Sequence, residues 1–125
     1  MRVLIVEDNP GYRAFLREEL YDRFSGIVIE EADDGKEAVE KVDASQPGLI
    51  FMDIRLPGEN GLEVTREIKK KYPDVKIIVL TSYDFPEYRE AAGECGADHF
   101  FTKDDDLDDV LEAAESILKV RPGST

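Results

Sequence analysis

Apolar residues in this chain follow two alternating patterns, short unbroken runs and longer stretches with helical spacing. The runs are Val3-Leu4-Ile5-Val6, Ile27-Val28-Ile29, Leu49-Ile50-Phe51-Met52, Ile77-Ile78-Val79-Leu80 and a shorter one around His99-Phe100-Phe101. Runs of this length, rich in β-branched and aromatic residues, predict buried strands. Between them Tyr12, Phe15, Leu16, Leu20 and Phe24 recur at helical spacing, as do Ala38, Val39 and Val42, then Leu62, Ile68 and Tyr72, and finally Leu107, Val110, Leu111, Ala114 and Leu118. Each set marks the apolar face of a helix.

Punctuation supports the same division. Asn9-Pro10 reads as a cap followed by a first-turn proline, Gly26 interrupts before the second strand, Gly35 precedes the second helix and Pro47 ends the connection after it. After the third strand comes a loop over 54–60, with Gly61 opening the next helix. Thr81-Ser82-Tyr83 predicts a turn, and Asp84 with Glu87 has the spacing of a capping box. The fourth helix is built from weak material. Gly93 lies inside it, Gly96 closes it, and its inward face of Tyr88, Ala91, Ala92 and Cys95 is mostly small, which predicts low local stability. Aspartates stand at the start of the last helix and Pro122-Gly123 stops it.

Five strands alternating with five helices predict an α/β fold with a parallel sheet covered on both sides. Right-handed crossovers narrow the topology. The expectation is a doubly wound, flavodoxin-like (βα)5 fold with strand order 2-1-3-4-5, whose ligands bind at the carboxyl ends of the strands beside the switch point.

At 125 residues the chain suits a single domain, expected over 1–121, with 122–125 as a tail or the start of a linker. It is 42% hydrophobic and 36% charged, the mixture of a folded globular protein. A formal net charge of −13 argues against direct binding of nucleic acid or an anionic membrane, which demand clustered Lys and Arg. The single cysteine, Cys95, excludes an internal disulfide and fits a reducing cytoplasm. The apolar run at 3–6 is too short for a signal peptide, and no segment has the length and apolarity of a membrane span.

The predicted topology gives part of that acidity a chemical purpose. Strands one and three become neighbours, so Glu7, Asp8 and Asp53 converge at their ends. Three carboxylates in a small volume repel, and a divalent cation relieves them. Mg²⁺ suits oxygen ligands and phosphate partners, whereas zinc lacks nearby Cys or His ligands. A carboxylate beside Mg²⁺ can act as a nucleophile toward a phosphoryl group. Lys103, following strand five, and Thr81, ending strand four, reach the same edge and can bind phosphoryl oxygens, one as a point charge and one as a hydroxyl donor.

Glu7-Asp8, then Met52-Asp53-Ile54-Arg55-Leu56-Pro57 with Gly61, then Thr81-Ser82, then Gly96-Ala97-Asp98 leading to Lys103, together resemble the response-regulator receiver family. The resemblance runs from the first strand to the last helix, and its specificity lies in order and spacing. It implies a two-component signalling switch in the cytoplasm rather than an enzyme acting on other substrates, catalysing only its own phosphoryl transfer and dephosphorylation. Asp53 would be the phosphoacceptor. Glu7, Asp8, Asp53 and the main-chain carbonyl of Arg55 would hold Mg²⁺, Thr81 and Lys103 would bind the phosphoryl group, and Thr81 and Phe100 would form the switch. The implied partners are a sensor histidine kinase or phosphotransfer protein and an output domain or partner protein, with a phosphorylation-dependent homodimer also open. The family commonly has proline after the lysine, where this chain has Asp104. That departure points to the subgroup whose receivers precede a helix-turn-helix DNA-binding domain, and predicts a trans peptide between Lys103 and Asp104.

Simpler readings apply elsewhere. Aspartates among residues 104–109 read as a helix start, His99 as a surface or half-buried strand residue, and Cys95 and the pair Phe100-Phe101 as core, with only the family position giving Phe100 a signalling role. Arg55 and Tyr83 border the pocket without a required catalytic role. A flavin binder would need glycine amides or hydroxyls where Glu7-Asp8-Asn9-Pro10-Gly11 stands. A haloacid-dehalogenase-like phosphatase would need an acid where Arg55 stands. A receiver-shaped interaction module that no longer accepts phosphate remains the alternative, against which the full set of acids, Thr81 and Lys103 weighs.

Overall fold

The computed structural model describes residues 1–119, so the expected end of the domain, the Pro122-Gly123 stop and the tail over 122–125 lie outside the described residues. Its strands are β1 (Arg2–Val6), β2 (Val28–Ala32), β3 (Leu49–Met52), β4 (Arg55–Leu56), β5 (Glu59–Asn60), β6 (Lys76–Thr81) and β7 (His99–Thr102). The helices are α1 (Pro10–Arg23), α2 (Gly35–Ser45), α3 (Gly61–Lys71), α4 (Pro86–Glu94) and α5 (Leu107–Lys119). The main sheet is parallel, in the order β2-β1-β3-β6-β7, which is the expected 2-1-3-4-5 arrangement once a small hairpin is counted.

Alternate residues of the central strands point to opposite faces, and both faces are apolar because helices cover each. Val3, Ile5, Leu49, Phe51, Ile78 and Leu80 pack with Leu16 and Leu20 of α1 and Val110, Leu111 and Ala114 of α5. On the other face Leu4, Val6, Ile50, Met52 and Ile77 meet Ala38 and Val42 of α2 and Val64 and Ile68 of α3. A third, smaller cluster of Ile54, Leu62, Val79, Ala92 and Cys95 sits under α4. Ala92 is the one fully buried residue within α4, as its small inward face foretold.

The structure differs from the sequence expectation at four places. The second strand is shifted to Val28–Ala32, since Glu30 and Glu31 lie half-buried on an edge strand that periodicity alone would end earlier. Gly35 is the first residue of α2, and Asp34 is the cap, its carboxylate accepting from Glu37 N at 2.8 Å. The loop over 54–60 contains the antiparallel hairpin β4–β5, closed by Pro57-Gly58 with Gly58 at φ +72°. The Asp84–Glu87 capping box does not form. Phe85 occupies the cap position of α4 with no side-chain cap, because Pro86 starts the helix one residue later and Asp84 instead pairs with Arg89 at 3.6 Å.

Side chains occupy some of the outward hydrogen-bonding groups on both edge strands. On β2, Ile29 N donates to Tyr21 Oη at 3.1 Å and the Glu31 carbonyl accepts from Lys41 Nζ. On β7, the Phe100 carbonyl accepts from Arg89 Nη1 at 3.4 Å.

Candidate functional site

The carboxyl ends of β1 and β3 are aligned by their register, Val6 opposite Met52, so the residues that follow emerge side by side. Asp53 N donates to Val6 O at 3.1 Å and Glu7 N to Ala32 O at 3.1 Å, which carries the sheet one residue beyond each strand. Glu7, Asp8 and Asp53 thereby each bring a carboxylate oxygen within 4.8 Å of the others, a grouping that can hold a metal ion. Glu7 and Asp53 are buried, at 3% and 6% exposure, while Asp8 is exposed.

Lys103 neutralises part of this charge. Its Nζ lies 2.7 Å from Glu7 Oε1 and 3.4 Å from Asp53 Oδ2, with its side chain mostly buried. The chain delivers it there because Lys103 N donates to Thr81 O at 2.8 Å, extending the β6–β7 pairing by one residue. The peptide to Asp104 is trans, as expected. Asp105 closes the following turn, its Oδ2 accepting from Thr102 N at 2.8 Å.

Burial pushes the Glu7 carboxyl above its ordinary value, and the Asp53 charge adds to the rise against the Lys103 and Asn9 hydrogen bonds. Burial alone would pull the Lys103 ammonium down, but the Glu7 hydrogen bond and the charges of Asp53 and Glu7 outweigh it and hold lysine above its usual range. The Tyr12 phenol is pushed up to about 12 by burial, then by Glu7 and Asp53.

Around these groups is an open cleft of about 440 Å³, lined by Glu7, Asp8, Asn9, Asp53, Arg55, Leu56, Pro57, Ser82, Tyr83 and Lys103. Gly61 sets how closely α3 approaches the backbone of Asp53. The amide of Gly61 donates to Ile54 O at 2.7 Å, and a Cβ there would stand 1.8 Å from Asp53 O, so only glycine lets α3 start this close. The hairpin sets Arg55 on the rim, its guanidinium 4.9 Å from the centre of the Tyr83 ring.

Thr81 ends β6 fully buried, with Oγ1 accepting from Tyr83 N at 3.3 Å, and it does not line the cleft directly. Phe100 is half-buried against the small cluster under α4. Arg89 stacks over it at 4.6 Å from the ring centre. His99 is exposed and stacks on Phe101. The sequence therefore identified the acids and the lysine that meet. It missed Arg13, which donates to Glu7 O at 2.8 Å and pairs with Asp33 and Glu31, and it assigned Tyr12 only to the helix face, although the Lys103 ammonium sits 4.5 Å from its ring centre. Their place in the first turn after the acid pair was the available signal.

A parallel sheet in this order, with acids and a lysine converging at its strand ends, defines a doubly wound α/β domain with a candidate ligand site beside the switch point. Comparison with known proteins narrows the class: the chain belongs to the response regulator receiver domain family, which matches residues 3–115. It is similar to the transcriptional regulatory protein DegU of Brevibacillus brevis, 32% identical across 95% of this chain and 50% of that protein. The response regulator MprA of Mycobacterium leprae is 35% identical across 95% of this chain and 51% of its own length. The chain thus spans about half the length of these curated relatives. Among solved structures, the response regulator TrrA from Thermotoga maritima, in complex with Mg(2+)-BeF, is 38% identical with a TM-score of 0.83, covering 93% of this chain and 97% of that one. A LuxR-family two-component response regulator from Aurantimonas sp. SI85-9A1 is 32% identical with a TM-score of 0.86, covering 96% and 86%. This is a signalling domain of the two-component response-regulator type. Among the described residues, no helix is long and apolar enough to cross a membrane.

Proposed function

We propose that this domain is a Mg²⁺-dependent phosphorylation switch with Asp53 as its phosphoacceptor. One observation carries the reading: Lys103 contacts both Glu7 and Asp53 at the point where three carboxylates gather within 4.8 Å. That arrangement suits a buried nucleophile beside a cation site and an ammonium ready to meet phosphoryl oxygens. Glu7, Asp8, Asp53 and the main-chain carbonyl of Arg55 are the Mg²⁺ ligands in this reading, and TrrA, crystallised with Mg(2+)-BeF, supports the choice of cation. When bound, the cation supplies charge neutralisation for donor and carboxylates.

An Asp53 carboxylate oxygen attacks phosphorus, the bond from phosphorus to the donor breaks, and the donor leaves with that electron pair. The donor is a sensor histidine kinase, a phosphotransfer protein or a small phosphodonor. Lys103 shifts from its carboxylates onto a phosphoryl oxygen, and Thr81 turns its hydroxyl hydrogen toward another. Phe100 then leaves its stack with Arg89 and moves inward, which repacks the surface of α4, β7 and α5 for an output domain, a partner protein or a second copy of the chain. The energy required is small, because α4 holds few buried side chains.

The domain acts as a switch rather than an enzyme with separate substrates, its chemistry confined to gaining and losing its own phosphoryl group. DegU, a transcriptional regulatory protein of which this chain spans half, supports membership in a longer regulator, in which this acidic domain would leave nucleic acid to another part of the protein. The buried free Cys95 fits the cytoplasm we assign to it.

The test is intact mass after incubation with acetyl phosphate and Mg²⁺. A labile phosphoryl adduct on wild type and none on Asp53→Asn is expected, and an adduct on both, or on neither, overturns the reading. Amide exchange with and without beryllofluoride tests the switch. Changes confined to the cleft, with α4 and β7 silent, would reject it.

A further inference from the structure

The Lys103 ammonium has three neighbours for its three N–H bonds. Two are Glu7 Oε1 at 2.7 Å and Asp53 Oδ2 at 3.4 Å; the third is the face of Tyr12, with the ring centre 4.5 Å from Nζ. Such a contact between a cation and an aromatic face is attractive, more so when both are partly removed from water, as Lys103 and Tyr12 are. Tyr12 is held both at its backbone and at its side chain. Asn9 Oδ1 accepts from Tyr12 N at 3.1 Å, fixing the backbone of the first turn of α1, and the side chain packs against the core cluster that includes Leu16 and Leu80. A lysine on a four-carbon stem loses much rotamer freedom when it is held at one point, and here the carboxylates alone leave one side of its head open.

We propose that Tyr12 is a positioning residue for phosphoryl transfer, its ring face holding the Lys103 ammonium at the edge of the acid cluster where phosphoryl oxygens arrive. This rests on the reading of Asp53 as phosphoacceptor. The requirement is for an aromatic face. The hydroxyl is dispensable, since the contact with Lys103 is to the ring. The step served is attack of the Asp53 oxygen on the phosphorus of acetyl phosphate, with acetate leaving as the bond from phosphorus to its oxygen breaks. Lys103 neutralises the phosphoryl oxygens only if it is already at hand.

The experiment compares rates of adduct formation from acetyl phosphate at saturating Mg²⁺ for wild type, Tyr12→Phe and Tyr12→Leu, with a trifluorinated phenylalanine installed at position 12 as the fourth protein. Tyr12→Phe should stay within about two-fold of wild type and Tyr12→Leu should fall about five-fold. The trifluoro ring keeps nearly the shape of phenylalanine but withdraws charge from its face, so its rate should drop to that of Tyr12→Leu. A purely structural role would not follow fluorination. Should Tyr12→Leu melt too low to assay, the phenylalanine and trifluorophenylalanine pair decides alone. Equal rates for that pair, or a folded Tyr12→Leu as fast as wild type, overturn the role of Tyr12 while leaving Asp53 as acceptor. No adduct on wild type, or one that survives Asp53→Asn, overturns the acceptor reading and the role of Tyr12 with it.

Discussion

Removing repulsion among the carboxylates by adding Mg²⁺ should raise the stability of this fold by an amount that grows with pH. Two full charges at 4.8 Å, the limit of the cluster, repel by about 3.5 kcal/mol at an effective dielectric constant of about 20. Lys103 already offsets part of this for the buried pair Glu7 and Asp53, and water screens exposed Asp8. A cation at 100 times its dissociation constant stabilises by about 2.7 kcal/mol, which lies within the repulsion available to relieve. For a domain of this size that corresponds to a rise of about 10 °C in Tm. The pH dependence follows from Glu7. Its carboxyl titrates higher in the folded state than in the unfolded chain, so the folded state binds more protons between the two values, and without metal stability falls as pH rises through that window. Metal binding needs the ionised form and opposes the fall. Melting curves at several pH values from about 4.5 to 7.5, with Mg²⁺ or with chelator, measure the increment. It should be small at the acid end, grow toward neutrality, and shrink sharply in Glu7→Gln, Asp8→Asn and Asp53→Asn. An increment that does not change with pH, or that survives Asp8→Asn and Asp53→Asn, would refute the reasoning.

Three further outcomes are expected from urea denaturation and amide exchange. Gly93→Ala should stabilise α4 by about 0.5–1 kcal/mol, since a Cβ there meets nothing within 4 Å; increased protection of α4 amides would register it, and a loss of stability would contradict it. Gly61→Ala should destabilise by about 3 kcal/mol because the new methyl collides with the Asp53 carbonyl, and a neutral result would show that α3 can retreat freely. Thr65→Val should leave stability unchanged or raise it by about 1 kcal/mol, as the buried Thr65 hydroxyl has no hydrogen-bond partner; a clear loss would mean that the hydroxyl finds one in solution.

The central strands were legible because both of their faces are buried, which turns them into unbroken apolar runs. The acid cluster was legible for the same reason: Glu7 and Asp53 are the first polar residues after two such runs that lie side by side. β2 was harder, since Glu30 and Glu31 lie on an edge strand and break the apolar signal. The hairpin β4–β5 has two residues in each strand, too few to show a period. At α4 two local signals competed, and the proline at its first position overrode the Asp84–Glu87 spacing. Tyr12 has two roles, and helical periodicity shows only the one that faces the core. Contacts from Arg13 to Glu7, Glu31 and Asp33 depend on where β1 and β2 end in space, which no local window contains.

The side chains laid along the two outer strands have a consequence for chains that meet one another before or after folding. A bare strand margin offers a row of amides and carbonyls to any passing extended segment, and a parallel sheet assembled from distant pieces exposes such margins while it forms. Here Tyr21 and Lys41 on one side and Arg89 on the other occupy hydrogen-bonding groups that a recruited strand would need. A foreign strand would have to displace those partners before gaining its own bonds, so the sheet resists growing sideways into polymers.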